Sequence, residues 1–166
     1  LEYILQLEED DPVVIIGFER DRCPVDVVEE IKIFSRLRVL MLQGVAIDDS
    51  ILAAVSHCEG LTNLELHGGT LTDEGMCLLR RLRNLRYLAV TDAKVGDDGV
   101  KALASLPMLE EVELVNTRVT DKGLMLISKS PRLRTIDVSY TDVTSKGVES
   151  FARANPSVEI VCRSTP

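Results

Sequence analysis

The chain has 166 residues, one domain's worth, with 45% apolar but only 4% aromatic residues and no Trp, so its core must be aliphatic. The net charge of −8 disfavours nucleic acid as a partner, because an acidic surface repels phosphate, and favours basic protein segments. No apolar run reaches the ~18 residues of a membrane span and no secretory leader is visible, while Cys23, Cys58, Cys77 and Cys162 are scattered without a C-x-x-C pair.

That cysteine spacing suits neither a zinc ribbon nor a dense disulfide framework. It is expected of reduced, mostly buried thiols in an intracellular protein. The chain begins at Leu1 rather than Met, so a fragment of a longer protein is expected. In "LEYILQL", Leu1, Ile4 and Leu5 share one helical face, which predicts an N-terminal cap or the end of a preceding repeat over residues 1–12. The acidic "EEDD" that follows is a solvated break.

From there the chain repeats. Leu37, Leu61, Leu85, Leu109 and Leu133 recur every 24 residues. Leu40, Leu64, Leu88, Val112 and Ile136 follow three residues later, then Leu42, Leu66, Val90, Leu114 and Val138, then Ile47, Leu71, Val95, Val119 and Val143. The register extends back to Val13, Ile16, Phe18 and Cys23, and forward, with one inserted residue, to Val158 and Val161. Six units of 24–25 residues are predicted over 13–157, with a final strand and C-terminal cap over 158–166.

Each unit opens with a short strand around L-x-L, whose alternate side chains point to the core and to solvent. A helix follows, expected to start and be capped at Asp49, Asp73, Asp97, Asp121 or Ser145. Its inner face is Leu52/Val55, Met76/Leu79, Val100/Leu103, Leu124/Ile127 and Val148/Phe151. Pro107, Pro131 and Pro156 then help turn the chain back. Gly75, Gly99, Gly123 and Gly147 begin successive helices, where a missing Cβ permits close approach or relaxes the turn; Val27 and Ile51 take that place earlier, predicting a wider fit.

The unit L-x-x-L-x-L-x-x-x-x-[LIV], with "LTDEGM", "VGDDGV", "VTDKGL" and "VTSKGV" at equivalent places, resembles the leucine-rich repeat family in its ribonuclease-inhibitor-like branch. The resemblance runs from about Pro12 to Arg163. It implies an α/β fold: a right-handed leucine-rich-repeat solenoid, a horseshoe arc with parallel strands on the concave face and helices on the convex face. The family usually places Asn, Cys or Thr at the ninth position to tie the turns together. Thr117 and Thr141 comply; Asp21, Val45, Gly69 and Ala93 do not, so a less regular first half is expected.

The one stretch that looks like chemistry, "LELHGGTLTDEG", is an ordinary repeat in this reading. Gly68-Gly69 fits no phosphate-binding fingerprint, and His67 has no second His beside it. No catalytic residue, cofactor or metal is expected. Binding is expected on the outward strand columns, which carry no packing duty. Glu65, Glu111, Glu113 and Asp137, with Asp92 at the rim, form an acidic patch; Val39, Met41, Tyr87 and Val115 stand beside them, expected exposed, and His67 lies in the third column. Like charges on adjacent strands repel, so folding alone does not recommend Glu113 next to Asp137. A solvated polar face is the plainer alternative.

The opposite feature is a basic edge where helices end, densest at Arg80, Arg81, Arg83 and Arg86. Charge complementing the helix dipole is its plainer explanation. The leading functional expectation is a non-enzymatic module binding another protein, basic or amphipathic, on the concave face. The alternatives are the substrate-recognition part of an F-box-type ubiquitin ligase receptor, an assembly scaffold self-associating through its end strands, and the regulatory portion of a larger enzyme.

Overall fold

The computed structural model describes residues 13–17, 37–43 and 47–164. The expected N-terminal helix over 1–12, and Phe18, Asp21, Cys23, Val27 and Val45, lie outside the described residues. Elements alternate as the periodicity requires: β1 (Val13–Gly17), β2 (Val39–Gln43), α1 (Asp49–Val55), β3 (Asn63–His67), α2 (Asp73–Leu78) running into a 3-10 turn (Leu79–Arg81), β4 (Tyr87–Thr91), α3 (Asp97–Leu103), β5 (Glu111–Glu113), α4 (Asp121–Ile127), β6 (Thr135–Asp137), α5 (Ser145–Ala154) and β7 (Glu159–Val161). The seven strands form one parallel sheet in chain order, and successive helices pack on one another. This is an open α/β leucine-rich-repeat solenoid, with the sheet lining its concave face.

Leu40, Leu64, Leu88, Val112, Ile136 and Ile160 stand opposite one another as neighbouring rungs. The first five are at most 1% exposed, and the helix residues Leu52, Val55, Met76, Leu79, Val100, Leu103, Leu124, Ile127 and Phe151 close the same core from the other side. No single repeat could bury that face alone; stacking does, at about 1.5–3 kcal/mol per aliphatic side chain.

Two register expectations are corrected at the ends. In β1, Val14 lies opposite Leu40 and Ile16 opposite Leu42, a step of 26 residues from Val13 to Val39 rather than 24. A slip of two residues preserves the alternation of faces, so the sheet accommodates it. At the far end no inserted residue separates the strands: Ile160 lies opposite Ile136 and Val161 opposite Asp137. Val158 and Ile160, not Val161, pack against the core. A slip of one would have turned Ile160 away from it.

Between strand and helix, one position recurs with a left-handed backbone: Gly68 (φ 83°, followed by Gly69 at 98°), Asp92 (56°), Asn116 (53°) and Tyr140 (59°). Their amides donate to the next rung, at Thr91 O (2.9 Å), Val115 O (3.1 Å), Ser139 O (2.9 Å) and Arg163 O (2.8 Å). At the ninth position Thr117 Oγ1 donates to Leu114 O at 2.9 Å and Thr141 Oγ1 to Val138 O at 2.6 Å, each within its own turn. Strands β3 and β4 span five residues, β5 and β6 three, while Asp21 and Val45 of the first two repeats lie outside the described residues.

The aspartates expected to cap their own helices do something else. The N-cap residues are Asp48, Thr72, Gly96, Thr120 and Thr144. Asp49, Asp73, Asp97 and Asp121 each begin a helix and reach to the next repeat. Asp49 accepts from Thr72 N (3.0 Å) and Thr72 Oγ1 (2.6 Å), Asp73 from Gly96 N (2.7 Å), and Asp121 from Thr144 N (2.8 Å) and Thr144 Oγ1 (2.7 Å). Asp97 accepts from Thr120 N (2.9 Å), Thr120 Oγ1 (2.8 Å) and Gly123 N (3.0 Å). The glycine of each following helix is the seat for this carboxylate: a Cβ on Gly99 would stand 2.7 Å from Asp73 Oδ1. The T-D-x-G signature is therefore a ladder between repeats, and the glycine serves close approach.

Cysteine burial is also corrected. Cys58 is buried, but Cys77 and Cys162 are exposed.

Candidate protein-binding face

The outward columns of the sheet set the geometry. Asn63, Tyr87, Glu111 and Thr135 form one row across β3–β6, and Glu65, Ala89, Glu113 and Asp137 the next. Glu113 and Asp137 are direct cross-strand partners, one strand spacing apart. Met41 stands opposite Glu65 and Val39 opposite Asn63, so the two apolar residues flank the patch on its β2 side.

The side chains are more engaged than the bare columns imply. Tyr87 Oη donates to Glu113 Oε1 at 3.1 Å, diagonally across β4 and β5. Ala89, directly opposite Glu113, is wholly buried although its column faces outward, and its small side chain leaves room for that bridge. His67 Nε2 meets Glu65 Oε2 at 3.2 Å while its Nδ1 meets Thr91 Oγ1 at 3.0 Å. Asp137 Oδ1 accepts from Ser139 N at 2.8 Å, and Asp92 Oδ1 from Asn116 Nδ2 at 2.6 Å. Of the five acidic side chains, the Glu111 carboxylate alone makes no hydrogen bond or ion pair among the described residues, and the residue is exposed.

Electrostatics follow from this crowding. Burial pushes the Tyr87 hydroxyl well above its ordinary value of 10.0, and the carboxylates of Glu113, Glu65 and Glu111 push it further, because each disfavours a tyrosinate nearby. Asn63, Glu65, Arg86, Tyr87, Glu110 and Glu111 line a shallow depression of about 470 Å³. It brings Tyr87 together with the carboxylates of Glu65 and Glu111 and with an ion pair, Arg86 Nη1 to Glu110 Oε1 at 3.0 Å.

Some expected exposures are corrected. Val39, Met41, Tyr87 and Val115 are half-buried rather than exposed. Ser139, one repeat beyond Val115 in the outward column of His67, is 2% exposed and its Oγ accepts from Arg163 N at 3.0 Å. The large apolar side chains that do stand out among the described residues are Met125 and Tyr140. The Tyr87–Glu113 and His67–Glu65 pairs went unread in the sequence. Their signal was a separation of one repeat plus two, or of two along a strand, which the columns imply but do not select.

On the other edge Arg80 and Arg81 lie in the 3-10 turn and Arg83 just past it, all exposed. Arg86 pairs with Glu110, which also lies 3.8 Å from Arg134 Nε, whereas Arg80, Arg81 and Arg83 make no ion pair among the described residues. Among the described residues no group of His, Cys, Asp and Glu is arranged to hold a metal, and no helix is long and apolar enough to cross a membrane.

Comparison with known proteins agrees with this architecture. A family model described as "Leucine Rich repeat" matches residues 81–104, 105–128 and 129–152. No curated protein matches the chain by sequence. Among solved structures, internalin C2 of Listeria monocytogenes superposes with a TM-score of 0.61 at 19% identity, over 86% of this chain and 57% of that one. An internalin (inlF) of the same organism gives 0.60 at 17% identity, over 95% of this chain and 50% of that one. A leucine-rich-repeat protein of Leptospira interrogans gives 0.57 at 19%, over 84% and 39%. The chain thus spans about half the length of the two internalins, and identities this low speak to fold alone. The three matched segments are leucine-rich repeats, and the described chain has the α/β solenoid fold of that family.

Proposed function

We propose that this solenoid is a non-catalytic protein-interaction module, which holds a basic or amphipathic protein segment against the sheet through Glu65, Tyr87, Glu111, Glu113 and Asp137. The observation that carries the reading is the pairing of Glu113 with Asp137 on adjacent strands, beside Tyr87 and the uncommitted Glu111 carboxylate. Like charges that close oppose folding, so their placement favours a cationic ligand that neutralises them. Met41, Val39 and His67 extend the surface toward β2, and Asp92 rims it. Within the family the T-D-x-G units favour the ribonuclease-inhibitor-like branch, the scattered thiols an intracellular setting, and the length matched in larger solenoids a part of a longer protein.

The test is fluorescence anisotropy with a labelled arginine- and lysine-rich peptide. Wild-type protein is expected to bind it, and the double reversal Glu113→Lys with Asp137→Lys to abolish binding while circular dichroism stays unchanged. Equal binding by wild type and the folded variant would overturn the assignment.

A second reading rests on the arginines that lack acidic partners. Arg80, Arg81 and Arg83 would suit an acidic protein segment on the edge, as in a substrate-recognition or assembly role. The exposed β7 edge favours a scaffold that pairs end to end, for which solution mass against concentration is the check.

A further inference from the structure

The left-handed turn position is occupied by Gly68, Asp92, Asn116 and Tyr140 in successive repeats. Glycine has no Cβ to clash there, and short polar Asp and Asn tolerate the conformation. Tyrosine belongs to neither group. Its backbone task, donating its amide to Arg163 O at 2.8 Å, is the one Asn116 performs toward Ser139 O at 2.9 Å. Nor does the Tyr140 side chain serve the core: it is 43% exposed, and its hydroxyl makes no hydrogen bond among the described residues. Stability alone would select Asn or Gly at this place.

The surroundings indicate what the ring is for. Tyr140 lines a depression of about 280 Å³ with Asn116, Asp142, Val143, Cys162 and Arg163 among its walls. Asp142 is exposed two residues away. Asp137 lies three residues back at the end of β6, and Asp92 is on the same rim two rungs off, tied to Asn116. Arg163 is the one cation in the depression.

We propose that Tyr140 is a binding residue of the interaction face: its ring receives a guanidinium or ammonium group of the partner by cation–π contact, with Asp142 as counter-charge. The ring face attracts cations, and the Asp142 carboxylate in the same depression adds to that attraction, against the opposing charge of Arg163. The proposal rests on the reading that the acidic concave face takes a basic segment, and adds to it an anchor on the rim that the strand columns do not contain.

The experiment compares Tyr140→Asn, Tyr140→Phe and the Glu113→Lys/Asp137→Lys variant, with the same labelled arginine- and lysine-rich peptide as probe. Tyr140→Asn leaves the net charge unchanged, so diffuse charge attraction cannot respond to it. It is expected to weaken binding about two- to fivefold while raising Tm by about 2–4 °C, because the left-handed strain is relieved. Tyr140→Phe keeps wild-type affinity. If Tyr140→Asn binds like wild type while the charge-reversed variant does not, the anchor falls and the concave face stands. If neither variant loses binding, both fall. Weaker binding with a lowered Tm, or loss in Tyr140→Phe, would show a structural or hydroxyl-dependent role and overturn the cation–π assignment.

Discussion

Asp97 and Gly123 share one space: the aspartate's Oδ1 accepts the glycine's amide at 3.0 Å and fills the position where a side chain on that glycine would begin. Replacing a helical glycine with alanine ordinarily stabilises by up to about 1 kcal/mol, since the backbone loses less entropy. Here the displaced carboxylate also holds Thr120 N and Thr120 Oγ1, so the clash outweighs that gain. Gly123→Ala is expected to destabilise by about 1–3 kcal/mol in urea unfolding. Asp97→Ala should cost roughly 2–4 kcal/mol, the worth of hydrogen bonds to a charged group. The double variant should cost clearly less than the sum, because Asp97→Ala removes what the new methyl meets. Additive costs would mean that the two residues do not occupy one seat.

Thr117 supplies a second, independent check on what ties the turns. It is 6% exposed, and its hydroxyl satisfies Leu114 O at 2.9 Å. Thr117→Val preserves shape and removes the donor, leaving a carbonyl short of a partner inside the turn; a loss of about 1–3 kcal/mol is expected. Thr117→Asn, which can offer an N–H to the same oxygen, should cost less. Equal stability of wild type and Thr117→Val would show that the turn needs no side-chain tie.

The strand ladder was legible in the sequence because burial imposes it: Leu64, Leu88 and Val112 must face the core, and their spacing equals one coil of chain. The helix faces were legible for the same reason. Asp97 was misread, since a carboxylate at a helix start fits its own first turn and the next repeat's turn equally well, and only three-dimensional stacking chooses between them. The β1 register was missed because a slip of two residues leaves every face as it was. At the binding face the columns were readable, but exposure was not. Whether Met41 or Val115 stands free depends on how far neighbouring side chains lean, and the Tyr87–Glu113 diagonal is one choice among several that the columns allow.

Tyr87 makes the acidic face measurable without a ligand. Its hydroxyl is held neutral by burial first and by Glu113, Glu65 and Glu111 after that. The folded value lies above that of the unfolded chain, near 10. The stabilisation is therefore complete below about pH 10 and is lost as pH rises through the higher folded value. Tyrosinate absorbance, taken as the difference between wild type and Tyr87→Phe, should show Tyr87 ionising only well above pH 10. Glu113→Gln should move that ionisation downward, though not to the free value, because burial persists. An unmoved midpoint would mean that the carboxylates exert no field at the ring.

The basic edge yields the converse expectation. Arg80, Arg81 and Arg83 are exposed and have no acidic partner among the described residues, whereas Arg86 is 3.0 Å from Glu110. Other repeats end their helices with Ser hydroxyls turned back onto the chain, as Ser56 does to Ala53 O and Ser105 to Ala102 O, so the fold does not require arginine there. Exposed bases near a helix C-terminus contribute ~0.3–1 kcal/mol each at best, and solvent screening reduces that. Replacing all three by Gln should therefore change stability by less than about 2 kcal/mol in total. Arg86→Gln, which strips Glu110 of its nearer cation, should cost more than any one of the three, within the roughly 0.2–1 kcal/mol of an exposed pair. A triple variant destabilised by more than about 2 kcal/mol would place the arginines in the service of the helix ends and remove the basis for a docking edge.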